Sequence, residues 1–434
     1  MAGASSLSGI SDNLPMAKIL FIHQNFPGQF KNLAPALVSL GHQVRALAIS
    51  GQRIEGVDLV SYKPQRGTSQ GIHPWVAEFE TKVIRGEACG QAMLNMRREG
   101  WTPDLVIAHP GWGESLFVKD VWPSAKLISF LEFYYAAQGT DVGFDPEFAK
   151  QGFGEDARLR LKNANNLLAL EASDWGLSPT EWQRSSLPQF FQGKVSVIFD
   201  GIDTDLVRPD PKVSLRLGKP NAPDNEQIIL QAGDELITFV NRNLEPYRGY
   251  HVFMRALPKI LEQRPNARVL LVGGDGVSYG AKPPEGKTWK QVFLDEVAPQ
   301  VDSSRLHFLG NVPYQAYLKL LQISACHVYL TYPFVLSWSC IESLSAACLV
   351  VGSKTPPVVE AISDGVNGLL VDFFDINGLA SCVSNVLARP QDFIAMRRSA
   401  RESAVARYDL RRHCLPQQIE LVNQWLPKQS AARS

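Results

Sequence analysis

Residues 18–48 read KILFIHQNFPGQFKNLAPALVSLGHQVRALA, and they decide the fold. The apolar run at 18–22 predicts a fully buried strand, and the helical pattern at 30–40 ends at Gly41, a residue suited to a helix C-terminus. A second apolar run at 43–48 predicts another strand. Strand, helix and strand within about thirty residues form a βαβ unit, and such units build parallel sheets.

The same alternation continues along the chain. A helical pattern at 155–172 lies among further predicted strands at 104–108, 126–130 and 195–199. The stretch RPDPK (208–212) has two prolines and no periodicity, which predicts a linker. Beyond it, strands are predicted at 236–241, 268–273, 305–310, 326–331 and 349–352. The sequence therefore predicts two successive α/β domains, each with ligand sites at the carboxyl ends of parallel strands.

These signals divide the chain into four parts. Residues 1–15 are rich in Ser and Gly and have neither an apolar core nor a basic leader, so we expect a disordered N-terminal extension rather than a signal peptide. Residues 16–207 and 208–405 are the expected N- and C-terminal domains. Residues 406–434 hold a helical pattern near 408–424, expected to cross back onto the N-terminal domain, followed by a tail.

Composition argues against several classes of protein. The 43 basic and 43 acidic side chains of the 434-residue chain give a formal charge of zero, which argues against a nucleic-acid-binding protein. The six cysteines lie far apart, so we expect a reducing, cytoplasmic compartment without disulfide bonds. Residues 320–341 lack charge, but Pro333 interrupts them, and a buried strand, a turn and a helix start explain them better than a membrane span.

The stretch VNRNLEPYRGYHVF (240–253) carries the strongest local signal. Arg242 follows a predicted strand, and Arg248 lies six residues later, before Gly249. Two guanidinium groups on one loop suit a diphosphate, because each can bind phosphate oxygens through two parallel hydrogen bonds. The alternative is a pair of solvated surface arginines, and these residues alone leave both interpretations open.

At this point the chain resembles the retaining glycosyltransferases of family 4, which have the GT-B fold. The family shows Gly-Arg, a short stretch and Lys-Gly, where this chain has Asn241-Arg242 and Arg248-Gly249. The resemblance implies that Arg242 and Arg248 hold the leaving nucleotide diphosphate and act in catalysis. It also implies an α/β fold of two Rossmann-like domains whose parallel sheets face each other across a cleft, with the acceptor on the N-terminal side and the donor on the C-terminal side.

A second match, YPFVLSWSCIESLSAACLVVG (332–352), departs from the family at one position. Glu342 fits the second of two family glutamates, which binds the donor ribose, but Phe334 replaces the first, which touches the donor sugar. Because amides at a helix start bind anions, the resemblance also implies donor contacts there. The expected residues at this helix start are Leu336, Ser337, Trp338 and Ser339. The alternative is that Glu342 is only a favourable carboxylate near a helix start.

Weaker matches extend the expected site. Gly28 would let the backbone approach a phosphate, although a simple turn explains it equally well. His109, at the end of the strand at 104–108, is expected near the reacting sugar unless it is structural. The backbone expected at the nucleotide base is that of Gly310, Asn311 and Val312. The expected acceptor-side residues are Gln24, Asn25, Glu132, Tyr134 and Tyr135. The last three lie in a stretch (131–148) that could equally be a loop packed against its domain.

Two further patterns allow both a structural and a functional interpretation. Asp203 and Asp205 resemble a metal-binding Asp-x-Asp pair, but we interpret them as turn and helix-cap residues and expect no metal. Three basic residues of one helical pattern could contact anionic lipid, although a solvated helix face explains them better. These residues are Arg158, Arg160 and Lys162.

The expected function is the transfer of a hexose from a UDP- or GDP-sugar to an acceptor hydroxyl, with retention at the anomeric carbon and without a metal or other cofactor. The expected acceptor is a sugar, a lipid-linked or a protein-linked molecule, in polysaccharide, glycolipid or glycoconjugate synthesis. The expected location is the cytoplasm, and the inner face of the membrane is an alternative within it. Three alternatives stay open: an epimerase of sugar nucleotides, a phosphorylase, and a binding protein without activity, the last motivated by Phe334.

Overall fold

The computed structural model describes residues 16–150, 152–218 and 227–427, so the expected extension at 1–15 and the end of the expected tail lie outside the described residues. The chain forms two compact units. The N-terminal unit comprises the chain up to Ala137, Lys150–Asp200 and the part from Cys414 onward. The C-terminal unit comprises Gln138–Ala149 and Gly201–His413.

The N-terminal unit is built on one parallel sheet of seven strands, in the order β3-β2-β1-β4-β5-β6-β7. Its strands are β1 (Lys18–Ile22), β2 (Gln43–Ala48), β3 (Val57–Ser61), β4 (Leu105–Ala108), β5 (Lys126–Phe130), β6 (Trp175–Ser178) and β7 (Val195–Val197). Ile19 of β1 pairs with Val44 on one side and with Leu105 on the other. The central strands are continuous apolar runs because helices and loops cover both faces of the sheet.

The C-terminal unit contains a short antiparallel hairpin and a parallel sheet of six strands, in the order β12-β11-β10-β13-β14-β15. The hairpin strands are β8 (Ser214–Leu217) and β9 (Ile228–Gln231). The sheet strands are β10 (Leu236–Asn243), β11 (Arg268–Gly274), β12 (Leu306–Gly310), β13 (Cys326–Tyr329), β14 (Val350–Ser353) and β15 (Leu369–Val371).

Helices connect the strands of both sheets. They are α1 (Leu33–Ser39), α2 (Ala77–Arg98), α3 (Val118–Val121), α4 (Phe153–Lys162), α5 (Ala164–Ala172), α6 (Glu181–Ser186), α7 (Gln189–Gln192), α8 (Tyr250–Gln263), α9 (Trp289–Val297), α10 (Tyr314–Ile323), α11 (Trp338–Ser345), α12 (Pro356–Ala361), α13 (Ile376–Ala388), α14 (Ile394–Tyr408) and α15 (Leu415–Trp425). Short 3-10 turns at Gly28–Lys31, Pro110–Trp112 and Pro246–Arg248 follow β1, β4 and β10.

The order of the strands determines where each unit can bind a ligand. In both sheets the first strand in sequence lies between the second and the fourth, so β1 neighbours β4 and β10 neighbours β13. The chain therefore leaves these neighbouring strands in opposite directions, which opens a crevice at their carboxyl ends. The two Rossmann-like units thus position the residues that follow β1 and β4, and those that follow β10 and β13, as candidate site residues.

Alternating side chains of the N-terminal sheet form two cores. Ile19 and Phe21 lie in the core on one face, together with Ile419 of α15. Leu20 and Ile22 lie in the core on the other face, together with Met93 of α2. This alternation is the two-residue period of a strand. Helix α15, the last in the described chain, thus completes a core of the N-terminal unit.

The structure differs from several predicted boundaries. The helix predicted at 155–172 is two helices, because Asn163 at their joint turns its side chain to the backbone of Tyr135, with hydrogen bonds of 2.6 and 3.1 Å. The units change at Asp200 and at Cys414, whereas the sequence predicted changes at 207 and 405. Gln138–Ala149, predicted within the N-terminal domain, belongs to the C-terminal unit, since its aromatic and acidic side chains pack there.

The uncharged stretch at 320–341 contains the end of α10, strand β13 and the start of α11, as the sequence predicts. Among the residues that the structure describes, no helix combines the length and the apolar character needed to cross a membrane.

Candidate active site

Arg248 lies at the switch point of the C-terminal sheet, in the 3-10 turn after β10. Its Nη1 donates hydrogen bonds to Thr331 Oγ1 at 2.7 Å and to the backbone oxygen of Val335 at 3.1 Å. Thr331 lies just after β13, so the guanidinium connects the ends of the two neighbouring strands. Gly249 has φ +70°, and a Cβ there would overlap the side chain of Leu330. The turn that places Arg248 therefore requires glycine.

Aromatic rings flank the guanidinium of Arg248, which makes no ion pair with a described carboxylate. Its Cζ lies 5.5 Å from the ring centre of Tyr279 and 5.8 Å from that of Phe334. Tyr247 packs edge-on against Phe334, with 5.1 Å between the ring centres. Arginine suits such a place because its planar group stacks on rings. Phe334, at the position where the resemblance has a carboxylate, thus leaves the positive charge of Arg248 available to a ligand.

Arg242, the partner expected for Arg248, is exposed at the end of β10. In the described ranges no hydrogen bond or ion pair involves its side chain. The neighbouring Asn243 and the buried Glu245 instead organise the glycine-rich run at 273–280. Asn243 accepts from the amide of Gly276 at 3.2 Å, and Glu245 accepts from the amide of Ser278 at 3.1 Å. A carboxylate of the protein thus occupies amides that could otherwise bind an anion, and sequence analysis missed it.

Glu342 lies in the middle of α11 and is buried. Tyr314 donates to its Oε1 at 2.7 Å and Tyr317 to its Oε2 at 2.8 Å. Burial, and then the charge of Glu342, raise the pKa of both tyrosines well above the ordinary value, so both hydroxyls stay protonated as donors. Each carboxylate oxygen has a second lone pair, which leaves the expected contact with ribose hydroxyls chemically open. The spacing of three between the tyrosines places them on one face of α10, a signal that sequence analysis did not use.

The start of α11 uses several of its own donors. Ser337 caps the helix, since its Oγ accepts from the amide of Ser339 at 3.2 Å. The amide of Ser337 donates to the hydroxyl of Tyr329 at 2.9 Å. These two expected amide donors thus have partners within the protein, and Leu336 is buried beside them. Trp338 lies at the first turn of the helix and is partly exposed.

The residues expected at the nucleotide base lie at the end of β12. Gly310 and Asn311 are exposed, and Val312 is partly exposed. A Cβ built on Gly274 would lie 3.4 Å from the side-chain nitrogen of Asn311, which places Asn311 beside the glycine-rich run. The C-terminal unit therefore carries the expected donor residues on loops at the carboxyl ends of its strands.

In the N-terminal unit, two buried histidines meet at the corresponding switch point. His23 follows β1 and His109 follows β4, with 5.4 Å between their ring centres. His109 stacks on Trp112 at 4.3 Å, and the edge of His23 contacts the same ring. His109 was predicted as a site residue and His23 was not, although both follow predicted strands.

A chain of hydrogen bonds joins the two histidines through Gln29 and Glu132. Gln29 binds His23 Nε2 at 2.8 Å and donates to Glu132 Oε1 at 3.0 Å, while His109 Nε2 lies 3.4 Å from Glu132 Oε2. The Nδ1 atom of each ring accepts a backbone N–H, from Asn25 and from Gly111. Each neutral imidazole therefore carries its proton on Nε2 and directs it along the chain.

Burial and charge set the protonation of this network. Burial, followed by the nearby His109, lowers the pKa of His23 to about 4, so this ring is neutral at neutral pH. Burial raises the pKa of Glu132, but the hydrogen bonds from His109 and from Gln29 help to outweigh that effect, and the pKa is lowered. Glu132 is therefore an ionised acceptor, suited to binding a hydroxyl.

The structure brings only part of the expected acceptor set together. Gly28, with φ +50°, lies against His23, and a Cβ there would overlap the imidazole. Asn25 contributes its backbone amide and is exposed, while Gln24 is partly buried and accepts from Ser50 through its backbone.

Tyr134 and Tyr135 do not join the network of Glu132. Tyr134 packs on an apolar cluster with Leu131, and Tyr135 lies under the ammonium group of Lys162 at 3.9 Å. The chain leaves the sheet after Glu132 and runs along α4 and α5, which separates the two rings from the histidines.

One group of side chains could in principle hold a metal: Asp145, Glu147 and His251 have ligand atoms within 4.8 Å of one another. Arg255 donates to both oxygens of Glu147 at 2.6 and 2.8 Å, and His251 Nε2 lies 2.9 Å from Asp145. These contacts form a compensated ion-pair network, which fits a metal poorly. Of the Asp-x-Asp pair, Asp203 accepts backbone amides of its own turn, as expected.

Two families match consecutive parts of the chain. Residues 40–207 match the glycosyl transferase family 4 group, and residues 222–405 match the glycosyl transferases group 1. Together the matches include most of both units described above.

The chain is also similar to proteins named D-inositol 3-phosphate glycosyltransferase. It is 24% identical to that of Segniliparus rotundus over 310 residues, which are 68% of this chain and 63% of the relative. It is 24% identical to a second, from Catenulispora acidiphila, over 385 residues, 82% of this chain and 80% of the relative. The chain thus spans slightly less than two thirds of the first relative.

Solved structures share the fold. HepE from Anabaena in complex with UDP-glucose has a TM-score of 0.65 at 15% identity, covering 94% of this chain and 100% of that one. Sucrose-phosphate synthase from Thermosynechococcus elongatus has a TM-score of 0.69 at 16% identity, covering 94% and 98%. WaaG, a glycosyltransferase involved in lipopolysaccharide biosynthesis, has a TM-score of 0.64 at 15% identity, covering 93% and 99%.

Proposed function

The chain belongs to the family 4 glycosyltransferases of the GT-B fold, and from this premise we propose that it transfers a hexose from a nucleoside diphosphate sugar to an acceptor hydroxyl, with retention of the anomeric configuration. We further propose that the C-terminal unit binds the donor and that the N-terminal unit contributes acceptor-side residues. The division at the predicted residues 207 and 405 is replaced in this proposal by the boundaries of the two units.

The observation that carries the proposal is the uncompensated charge of Arg248. The residue is buried, two of its hydrogen bonds fix Nη1, and it pairs with no carboxylate in the described chain. A buried cation without a counterion is costly, so an anionic ligand at this place gains from satisfying it. The N–H groups of Nε and Nη2 lie on one edge of the planar guanidinium. They can therefore donate two parallel hydrogen bonds to phosphate oxygens.

The donor is proposed to be a UDP-sugar in preference to a GDP-sugar. The similar HepE structure contains UDP-glucose, which supports this choice by analogy. Glu342 is proposed to accept the ribose hydroxyls, and the backbone of residues 310–312 to contact the base. Arg242, exposed at the end of β10, would contribute a second positive charge.

Catalysis would then rest on stabilising the departing diphosphate. Negative charge increases on the phosphate oxygens as the sugar leaves, and a positioned guanidinium stabilises it without rearranging. The donor phosphate itself would accept the proton of the acceptor hydroxyl, so the proposal requires no nucleophile, metal or other cofactor from the protein.

The acceptor is proposed to present a neutral hydroxyl to Glu132 and His109. The carboxylate accepts a hydrogen bond, and its negative charge repels a phosphate placed directly beside it. The molecule that carries this hydroxyl is proposed to be a sugar or a sugar linked to lipid or protein, in the synthesis of polysaccharide or another glycoconjugate.

We propose that the protein is located in the cytoplasm. We also propose a weak peripheral contact between α4 and anionic lipid. Phe153 at the start of α4 is 80% exposed and Arg160 is exposed, which supports such contact. Arg158 pairs with Glu155 at 2.9 Å and Lys162 lies over Tyr135, so two of the three expected basic residues already have partners.

A second candidate function is binding of a nucleotide sugar without transfer, and Phe334 favours it. The ring fills the place beside Arg248 where the resemblance has a sugar-binding carboxylate. The two functions are distinguished by incubating the protein with radiolabelled UDP-glucose or GDP-mannose and a panel of sugar acceptors. Label in a new glycoside supports transfer, label bound but unchanged supports binding alone, and absence of both contradicts the proposal.

Arg248→Ala tests the residue that carries the proposal. We expect a loss of transfer of about a hundredfold, in line with the removal of one positioned charge contact. Arg242→Ala should cost less, because its guanidinium is in solvent, where charge interactions are screened. Steady-state rates with a saturating acceptor measure both, and a rate in Arg248→Ala equal to that of the unsubstituted protein refutes the assignment.

A further inference from the structure

Gln138–Ala149, which we call the strap, packs on the C-terminal unit although its flanking chain belongs to the N-terminal unit. Phe144 contacts the ring of Tyr332, with 5.2 Å between centres, and Phe148 contacts Trp289 at 5.2 Å. Two ring contacts spaced four residues apart fix the strap against this unit. The acidic residues between and beside them therefore have defined partners.

Two buried carboxylates of the strap bind tyrosine hydroxyls. Asp141 accepts from Tyr247 and is 6% exposed, and Asp145 accepts from Tyr332 at 2.7 Å and is 3% exposed. His251 Nε2 also lies 2.9 Å from Asp145. Burial alone raises the pKa of Asp145, but the hydrogen bonds from His251 and Tyr332 outweigh it and lower the pKa. An ionised, buried carboxylate is a strong and directional acceptor.

The two tyrosines are the sequence neighbours of Arg248 and of Thr331, the residue that holds its guanidinium. Tyr247 immediately precedes Arg248, and Tyr332 immediately follows Thr331, which accepts the hydrogen bond from Arg248 Nη1. The amide of Tyr332 donates to the backbone oxygen of Tyr247 at 3.1 Å, and the two ring centres are 4.8 Å apart. A carboxylate on each hydroxyl thus fixes both backbone segments that position the guanidinium.

We propose that Asp141 and Asp145 are positioning residues for the diphosphate site, acting on Arg248 through Tyr247 and Tyr332. The inference rests on the proposed function, because it assumes that Arg248 binds a diphosphate. With the two carboxylates in place, the guanidinium is ordered before the ligand arrives, and binding loses less conformational entropy. Without them, the same contacts form only after the turn and the Thr331 segment have been ordered.

The test measures the binding of UDP, inorganic pyrophosphate and uridine by titration calorimetry. Tyr332→Phe removes only the hydroxyl and keeps the packed ring, and Asp145→Asn removes the charge. Both should weaken UDP and pyrophosphate binding by about fivefold and leave uridine unchanged, in the range of the net contribution of one typical hydrogen bond. Glu296→Gln is the control: this exposed carboxylate pairs with Arg255 at 2.6 Å, away from Asp145, so UDP affinity should stay within about twofold.

A double-mutant cycle distinguishes positioning from general stability. In an Arg248→Ala background, where base and ribose contacts still allow UDP binding, Tyr332→Phe should weaken UDP by less than about twofold. The inference is overturned if Tyr332→Phe and Asp145→Asn lower only the melting temperature, or if their effects on UDP are unchanged without Arg248. An Arg248→Ala protein that binds UDP normally overturns the proposed function itself.

Discussion

His23 and Glu114 are both buried in the N-terminal unit near the carboxyl end of the sheet, yet their ionisation affects stability in opposite directions. His23 lies in a hydrogen-bond network and is neutral. Glu114 is fully buried, and neither of its side-chain oxygens has a hydrogen-bond partner among the described residues. Burial lowers the pKa of the first and raises the pKa of the second.

For His23, acid should destabilise the fold. Its folded pKa is about 4 and its ordinary value is 6.5, so between these values the unfolded chain binds a proton that the folded chain does not. The contribution of His23 to the free energy of unfolding is fully present above pH 6.5 and is lost as the pH falls towards 4, by on the order of 3 kcal/mol. Urea unfolding of the unsubstituted protein and His23→Gln measures this loss. Equal dependence on pH in both proteins contradicts the prediction.

For Glu114, alkali should destabilise the fold. Its folded pKa is raised above the ordinary 4.5, so its contribution is present below 4.5 and is lost as the pH rises through the raised value. Glu114→Gln cannot ionise, so we expect the loss of stability with rising pH to be smaller in this variant, as urea unfolding across the pH range measures. Asp120→Asn, at an exposed position of α3, is the matched control. If the Gln variant and the control lose stability equally as the pH rises, the raised pKa of Glu114 is contradicted.

Residues with a local signal were predictable, and residues with only a spatial signal were not. Arg248 follows a strand in a motif, so its place at the sheet end could be inferred from sequence. The chain from His23 through Gln29 to Glu132 could not, because Glu132 is more than a hundred residues from Gln29 and no spacing relates them. Tyr135 was expected on the acceptor side because it lies in the aromatic and acidic stretch at 131–148, but the chain turns away after Glu132 and the backbone of Tyr135 binds Asn163.

At the scale of single elements, the turn after β10 depends on its glycine. Gly249 has φ +70° and no room for a Cβ beside Leu330. We expect Gly249→Ala to displace the turn, to cost roughly 1–3 kcal/mol of stability and to abolish most UDP binding. Gly233→Ala is the control, since Gly233 has φ +102° but open space around it. Calorimetric titration and melting curves measure both variants, and intact UDP binding in Gly249→Ala would show that the turn does not position Arg248.

Element type was predictable where burial is continuous and was missed where it is partial. The central strands β1, β4, β10 and β11 are apolar runs and were found. Strand β15, with three partly buried residues, and strand β3, with partly buried and exposed residues, gave no clear pattern. Helix α2 was not predicted because it contains Gly86 and Gly90, and glycine has a low helix propensity. Gly86 is needed for close packing, since a Cβ there would lie 2.7 Å from the backbone oxygen of Gly113.

At the scale of the molecule, one strand order occurs twice. Both sheets place the first strand beside the fourth, and in both units the polar residues of the candidate site follow these two strands. The repeated βαβ pattern was enough to predict two parallel sheets with ligand sites at the carboxyl ends of their strands, but the order of the strands was not predicted. The assignment of Gln138–Ala149 to the C-terminal unit was not predictable, because Asp141, Asp145 and Phe144 find partners more than a hundred residues further along the chain.

Arg248 is proposed to bind the diphosphate of a sugar nucleotide at the carboxyl ends of β10 and β13. A crystal structure of the protein with UDP bound tests it most directly. We predict phosphate oxygens within hydrogen-bonding distance of Nε or Nη2 of Arg248, with Nη1 still bound to Thr331, and the ribose hydroxyls at Glu342. UDP bound elsewhere, or bound there with its phosphates out of reach of Arg248, would contradict the account.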